Sequence, residues 1–275
     1  MRPLRFDQWP AVKPVIGMLH LLPLPGAPNA RGSLAEVLAR ALADAEALAM
    51  GGCHALMLEN FGDVPFYPDR VPAVTVAAMT RVAAAVKERF ASLPLGINVL
   101  RNDGLSALAV AVAAGADFVR VNVLTGARVT DQGLVQGIAH DLARARQILS
   151  ARHVAILGDV DVKHSAPLAA RPLADEVADT VHRGLADAVV VSGSGTGQPV
   201  DPAKLRSVKT AAGASPVLLG SGVTAQTLAT LAPHADGFIV GTALKEGGLA
   251  TNAVSRAAVE ALMAAHKAVM GGSRP

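Results

Sequence analysis

PVLLGSGVTAQTLATLAPHADGFIVGTALK (216–245) holds two short apolar runs, each ending in glycine, with one helix-period stretch between them. Runs this short and apolar, closed by turn residues, read as strands buried on both faces. A strand, a helix and a second strand in that order make a βαβ unit.

The unit recurs along the chain. Strand-like runs fall at 14–21, 54–60, 95–100, 117–123, 153–162, 186–193, 216–222 and 236–242. Ala- and Leu-rich stretches of helical period separate them, and a last helix is expected at about 250–270. Ser33 and Thr224 read as helix N-caps, and Gly51, Gly115 and Gly184 as helix stops. The turns GGCHA, AAGADF, GLADAV and APHADGF repeat one design before strands, with glycine as a left-handed cap and a polar residue opening the strand. Strict alternation predicts a parallel sheet with helices outside, and eight units predict a closed (β/α)8 TIM barrel. No linker interrupts the pattern, so residues 1–275 read as one domain, with 1–13 an N-terminal extension in which Trp9 caps the barrel bottom or a neighbouring subunit. An open doubly wound sheet is the rival, but no glycine-rich dinucleotide turn follows the first strand.

Composition narrows the function classes. Hydrophobic residues make up 51% and aromatics 3%, which suits repeated helix-on-strand packing. The net charge of +3, without a basic cluster, fits an anionic small molecule and gives no support to nucleic-acid binding. The single cysteine, Cys53, excludes an internal disulfide framework and agrees with a cytoplasmic setting. The N-terminus lacks a targeting pattern, and no run of about 18 uncharged apolar residues suggests an integral membrane segment. A homo-oligomer is expected.

In such barrels chemistry gathers at the C-terminal strand ends. Polar residues crowd there: His20, Glu59, Asn98, Arg120 and Asn122, then Asp159, Asp161, Lys163 and His164. Strand starts offer little beyond turn residues. The glycine-rich ends of the last two strands suggest backbone amides facing a phosphate, helped by following helix N-termini. Gly220, Ser221, Gly222, Gly241 and Thr242 are the candidate phosphate ligands, and SGSGTG (192–197) adds Gly193 and Thr196.

GDVDVKHSAP (158–167) alternates so that Asp159, Asp161 and Lys163 share one face. If that face lines the barrel, a lysine between carboxylates can relay protons or attack a carbonyl. An inert ion network is the alternative. Asp159, Asp161, Lys163, His164 and Glu59 are the catalytic candidates; His20, Asn98, Arg120 and Asn122 the substrate-binding ones. No cofactor is implied, although His20, Glu59 and Asp159, with Asp103 nearby, offer a mixed donor set for a divalent metal without any HxH or HExxH spacing. The long segment 124–137 reads as a lid in which Arg128, Thr130 and Asp131 close over a ligand.

GMLHLLPLPGAP (17–28), ENFGDVPF (59–66), LGINVLRND (95–103), FVRVNVLTGARVTDQGL (118–134), DVDVKHSAPLAAR (159–171) and GSGVT (220–224) resemble the BtpA/SgcQ family nearly end to end. The resemblance implies a phosphate-barrel-like (β/α)8 fold. One member is linked to photosystem I accumulation, and another, in a sugar-catabolism setting, is described as a candidate nucleosidase. A weaker likeness joins the Asp-x-Lys of 161–163 to orotidine phosphate decarboxylase-like barrels, but Ala166 stands where their last aspartate would fall. The expected function is an enzyme acting on a phosphorylated sugar or nucleoside-like molecule, with N-glycosidic hydrolysis the specific reaction. The alternatives are a non-catalytic photosystem I biogenesis factor and a sugar-phosphate isomerase or aldolase using Lys163.

Overall fold

The computed structural model describes residues 12–193, 195 and 200–271. Eight parallel strands close into a barrel: β1 (Val15–His20), β2 (Ala55–Glu59), β3 (Leu95–Asn98), β4 (Phe118–Val121), β7 (Ala155–Val160), β9 (Ala188–Val191), β10 (Val217–Leu219) and β11 (Gly237–Val240). Each lies inside one of the eight expected runs. β1 pairs with β11 as well as with β2, which completes the ring.

The helices that cover it are α1 (Leu34–Met50), α2 (Ala73–Arg89), α3 (Gly104–Ala114), α4 (Ala139–Ile148), α5 (Leu173–Ala178), α6 (Pro202–Ala212), α7 (Leu228–Leu231) and α8 (Arg256–Gly271). Alternate strand residues divide between two cores. Val15, Leu19, Leu56 and Leu58 face outward onto helix residues such as Leu48 and Val82. Ile16, Met18, Met57, Phe118, Leu157 and Ile239 fill the barrel itself. Removing this much apolar surface from water, at about 25 cal/mol per Å², is the main stabilising term.

Local signals behave unevenly. Ser33 caps α1 in a reciprocal box with Glu36. Gly115 is left-handed (φ 71°), but Gly51 and Gly184 are right-handed, and the positive φ passes to Gly52 (96°) and Leu185 (56°). Thr224 accepts from Thr227 N before α7 begins, so it closes a turn ahead of the helix instead of capping it.

The segment 124–137 is not an irregular lid. It forms a hairpin, β5 (Ala127–Thr130) with β6 (Gly133–Gln136), and β8 (Ser165–Pro167) joins β5 to make a three-stranded antiparallel sheet. Arg128 is buried within it, bonded to Ser165 Oγ at 2.9 Å and Asp161 Oδ1 at 2.7 Å, so it braces the sheet and does not close over a ligand. Trp9 lies outside the described residues. Lys13, at the described end of the N-terminal extension, donates to Ala232 O at the barrel bottom.

Candidate functional site

The strand period explains how the site is built. Two residues above the interior core, each strand presents a polar residue or a glycine to the lumen. On the first strands these are His20, Glu59, Asn98 and Arg120, and register pairs them in one continuous row. Asp159, Ser192, Gly220 and Gly241 occupy the equivalent step on the rest.

Arg120 and Asp159 face each other across β4 and β7. The guanidinium donates through Nε to Oδ1 and through Nη2 to Oδ2, both at 2.8 Å, and Asn122 Nδ2 adds a third bond to Oδ2 at 3.0 Å. Burial disfavours the charge on Arg120, but Asp159 outweighs it and holds the guanidinium firmly protonated. Asn98 Nδ2 donates to Arg120 O at 3.0 Å. With both oxygens engaged, Asp159 is a strut beneath the site, not a free carboxylate.

Glu59 is the free one. Burial pushes its carboxyl above the ordinary range, only partly offset by the charge of Arg120. His20 lies beside it, Nε2 to Oε1 at 3.8 Å, stacked on Phe61 with ring centroids 4.4 Å apart. His20 Nδ1 donates to Ala250 O at 2.8 Å, which leaves Nε2 as an acceptor turned toward Glu59. Burial, with the charge of Lys245 second, brings the His20 pKa down to about 3, so the ring is neutral. Lys163 shares this pocket with His20, Glu59 and Arg120. Burial first and the Arg120 charge second lower its pKa from the ordinary lysine value.

Asp161 departs from the expected ladder. β7 ends at Val160, and Asp161 turns back with φ 45°. Its side chain, 42% exposed, pairs with Arg128 and Lys204 at 2.7 Å each, on the accessory-sheet side of the chain. The alternation of an extended strand cannot carry it into the lumen once the strand has stopped. His164, also at positive φ (57°), lines a neighbouring cavity with Lys163. Nor do His20, Glu59 and Asp159 gather as metal ligands: among the described residues no group of three such side chains can hold an ion, since Arg120 occupies both Asp159 oxygens. Asp103 is likewise spent, accepting from Ser106 N and Val71 N at the start of α3.

The two glycine loops line a cavity of about 170 Å³ together with these polar residues. Gly222 adopts φ 71°, and a Cβ at Gly241 would press on His20 Cε1 at 3.0 Å. Among the described residues, the amides of Gly222, Thr242 and Ala243 reach no acceptor. Loops, not long helices, follow these strands at the cavity: α7 has four residues, and a short 3-10 turn, Thr242–Leu244, follows β11. Ser221 Oγ accepts from Gly193 N at 2.6 Å, joining the loops after β9 and β10. Thr196 lies outside the described residues.

Sequence reading passed over Phe61, Arg101 and Ser192 as site residues. Arg101 is buried and donates through Nη2 to Lys163 O at 2.7 Å. Ser192 Oγ is buried without a partner. Their signal was present, since each directly follows or lies near a strand end.

This defines a (β/α)8 barrel with a polar, glycine-lined mouth at the C-terminal ends of its strands. The chain belongs to the BtpA family, whose model matches residues 11–268. It is 45% identical over 260 residues to the photosystem I biogenesis protein BtpA of Synechocystis, covering 94% of this chain and 90% of that one. An uncharacterised protein of Thermococcus kodakarensis is 49% identical over 243 residues, covering 88% and 91%. An uncharacterised mitochondrial protein of Caenorhabditis elegans is 33% identical over 239 residues, covering 85% and 86%. Among solved structures, a native KDPGal structure matches with TM-score 0.59 at 15% identity, covering 94% and 96% of the two chains. Phosphoribosyl anthranilate isomerase from Thermus thermophilus matches with TM-score 0.54 at 16% identity, covering 93% and 99%. At those identities the likeness is one of fold. Among the described residues, no helix is long and apolar enough to cross a membrane.

Proposed function

We propose that this chain is an enzyme acting on a phosphorylated sugar or nucleoside-like molecule, and that it hydrolyses an N-glycosidic bond. One observation carries the reading. A single cavity has unpartnered loop amides on one wall and Glu59, Lys163 and His20 on the other. An anion bound at the amides would hold the adjoining sugar against the acid–base wall.

The displaced pKa values supply the roles. Glu59, whose hold on a proton is strengthened by burial, gives its proton to the departing nitrogen as the carbon–nitrogen bond breaks. Lys163, shifted toward the neutral amine, takes a proton from the water that bonds to the sugar carbon. Proton return from Lys163 to Glu59 resets the site. Arg120, held by Asp159, contributes a fixed positive charge beside the phosphate path.

The test is a turnover screen of nucleoside monophosphates and sugar phosphates, read as release of free base or reducing sugar. Glu59→Gln and Lys163→Met are each expected to lower kcat/KM by about 10²–10⁴-fold. Parental turnover in either folded variant overturns the assignment. A Lys163 imine, required by the aldolase alternative, would leave a borohydride-trapped adduct that hydrolysis does not.

A second reading, an assembly factor, takes its support from the name of the Synechocystis relative. The relatives named only as uncharacterised proteins add nothing to that reading, and the polar cavity favours the enzyme.

A further inference from the structure

A second cavity, of about 510 Å³, adjoins the first and shares Glu59, Phe61, Arg120 and Lys163 with it. Its far side is built differently. Phe66 and Leu100 give an apolar wall, and Arg101 and Asn122 a polar edge.

Both polar residues are buried, at 5% and 3% exposure, and each keeps one atom unanswered: Arg101 Nε and Asn122 Oδ1. Their chemical sense is fixed. Asn122 turns its amide nitrogen to the Asp159 carboxylate, so its unanswered atom is the carbonyl oxygen, which can only accept. Arg101 commits Nη2 to Lys163 O, and its Nε can only donate. Buried polar atoms normally find partners, so this pair points to a ligand.

We infer that the cavity between Phe66 and the Arg101–Asn122 edge is a subsite for a neutral planar ring that carries an amide-type N–H and C=O on one side. The inference rests on the phosphorylated-substrate reading above and names the other half of that substrate. The ring N–H meets Asn122 Oδ1, the ring carbonyl meets Arg101 Nε, and the ring lies against the phenylalanines. A ring carboxylate is selected against. It would satisfy Arg101 but set oxygen against Asn122 Oδ1, with Asp131 also lining the cavity.

Calorimetric titration of the full chain tests this with three probes: inorganic phosphate, ribose 5-phosphate and uridine 5′-monophosphate. Uridine monophosphate is expected to bind at least about tenfold tighter than ribose 5-phosphate. Arg101→Met and Phe66→Ala, each checked for an unchanged melting profile, should erase the gain from the ring while leaving the affinity for ribose 5-phosphate intact. Equal binding of uridine monophosphate and ribose 5-phosphate, or a gain that survives both substitutions, overturns the subsite. Failure of inorganic phosphate to bind would instead strike the proposed anion site at the glycine loops. Uridine binding that is lost in Arg101→Met would then still uphold the ring subsite.

Discussion

The two ends of the barrel spend the same residue types in opposite ways. At the N-terminal end, Asp117 accepts Leu95 N at 2.8 Å and pairs with Lys87 at 2.7 Å. Asp187 does the same with Ile156 N and Arg146, both at 2.7 Å, and Asp236 with Val217 N at 2.8 Å and with Lys209. In each case the aspartate opening one strand ties down the beginning of its neighbour, and the cation comes from the helix leading into that neighbour. That is the physical content of the recurring Ala-Asp turn. At the C-terminal end, by contrast, Asn98 Oδ1, Asn122 Oδ1, Arg101 Nε and Ser192 Oγ are buried and unanswered. An unsatisfied buried group weakens a fold by about 1–3 kcal/mol, so a protein retains several in one place only where something else completes them. Closure marks the end that holds the barrel together, and incompleteness the end where the proposed ligand would sit.

The largest effect separating the two ends should appear in the pH profile of turnover. With burial raising Glu59 and lowering Lys163, the limbs of a bell-shaped kcat/KM profile draw in toward neutrality. If Glu59 is the acid and Lys163 the base, the residual activity of Glu59→Gln only rises with pH, and that of Lys163→Met only falls. The opposite pair of profiles would exchange the two roles, and a full bell in both variants would remove these residues from the chemistry. Next in size is Asp159, a residue of the mouth that is closed like those at the bottom. Asp159→Ala strands a buried guanidinium and should cost about 3–5 kcal/mol in urea unfolding. A loss below about 1 kcal/mol would mean that Asp159 is not a strut, and would return it to the catalytic candidates.

The barrel was legible because its signal is periodic and redundant. Eight apolar runs bounded by turn residues leave few other topologies, and the row of His20, Glu59, Asn98 and Arg120 follows from counting two residues at a time. The same counting failed at Asp161, because a period holds only while the strand lasts. Nothing in GDVDVKHSAP announces that the strand stops at Val160 and that the next residue turns to φ 45°. The hairpin at 127–136 was hidden for a related reason. Its strands are four residues each, and β5 pairs on its other side with Ser165–Pro167, which lies far along the chain and carries no apolar alternation. The glycines after β10 and β11 line the cavity, but long helices do not follow them: α7 has four residues, and β11 leads into a short 3-10 turn. Arg101 was visible as a polar residue after a strand, but its unanswered Nε is a fact of three-dimensional packing.

At the bottom of the barrel, Asp236→Ala should lower stability by about 1–3 kcal/mol, because the buried Val217 N–H loses its acceptor. Turnover measured on the folded variant should match the parent. A drop in kcat/KM without a loss of stability would break the division between a structural end and a chemical one.

The smallest effect belongs to Asp161. Burial raises its pKa, but the hydrogen bonds from Lys204 and Arg128 outweigh that, and the folded-state value lies below the ordinary carboxylate one. The pairing therefore stabilises the fold above the unfolded carboxylate pKa, and the gain fades as pH falls through the lower folded value. Solvent screens so exposed a carboxylate, which holds the gain to about 1 kcal/mol or less. Asp161→Asn should show that small deficit at pH 7 and lose it in acid, with turnover unchanged throughout. A collapse of turnover at full stability would put Asp161 back into the chemistry and reverse the argument drawn from its turned backbone.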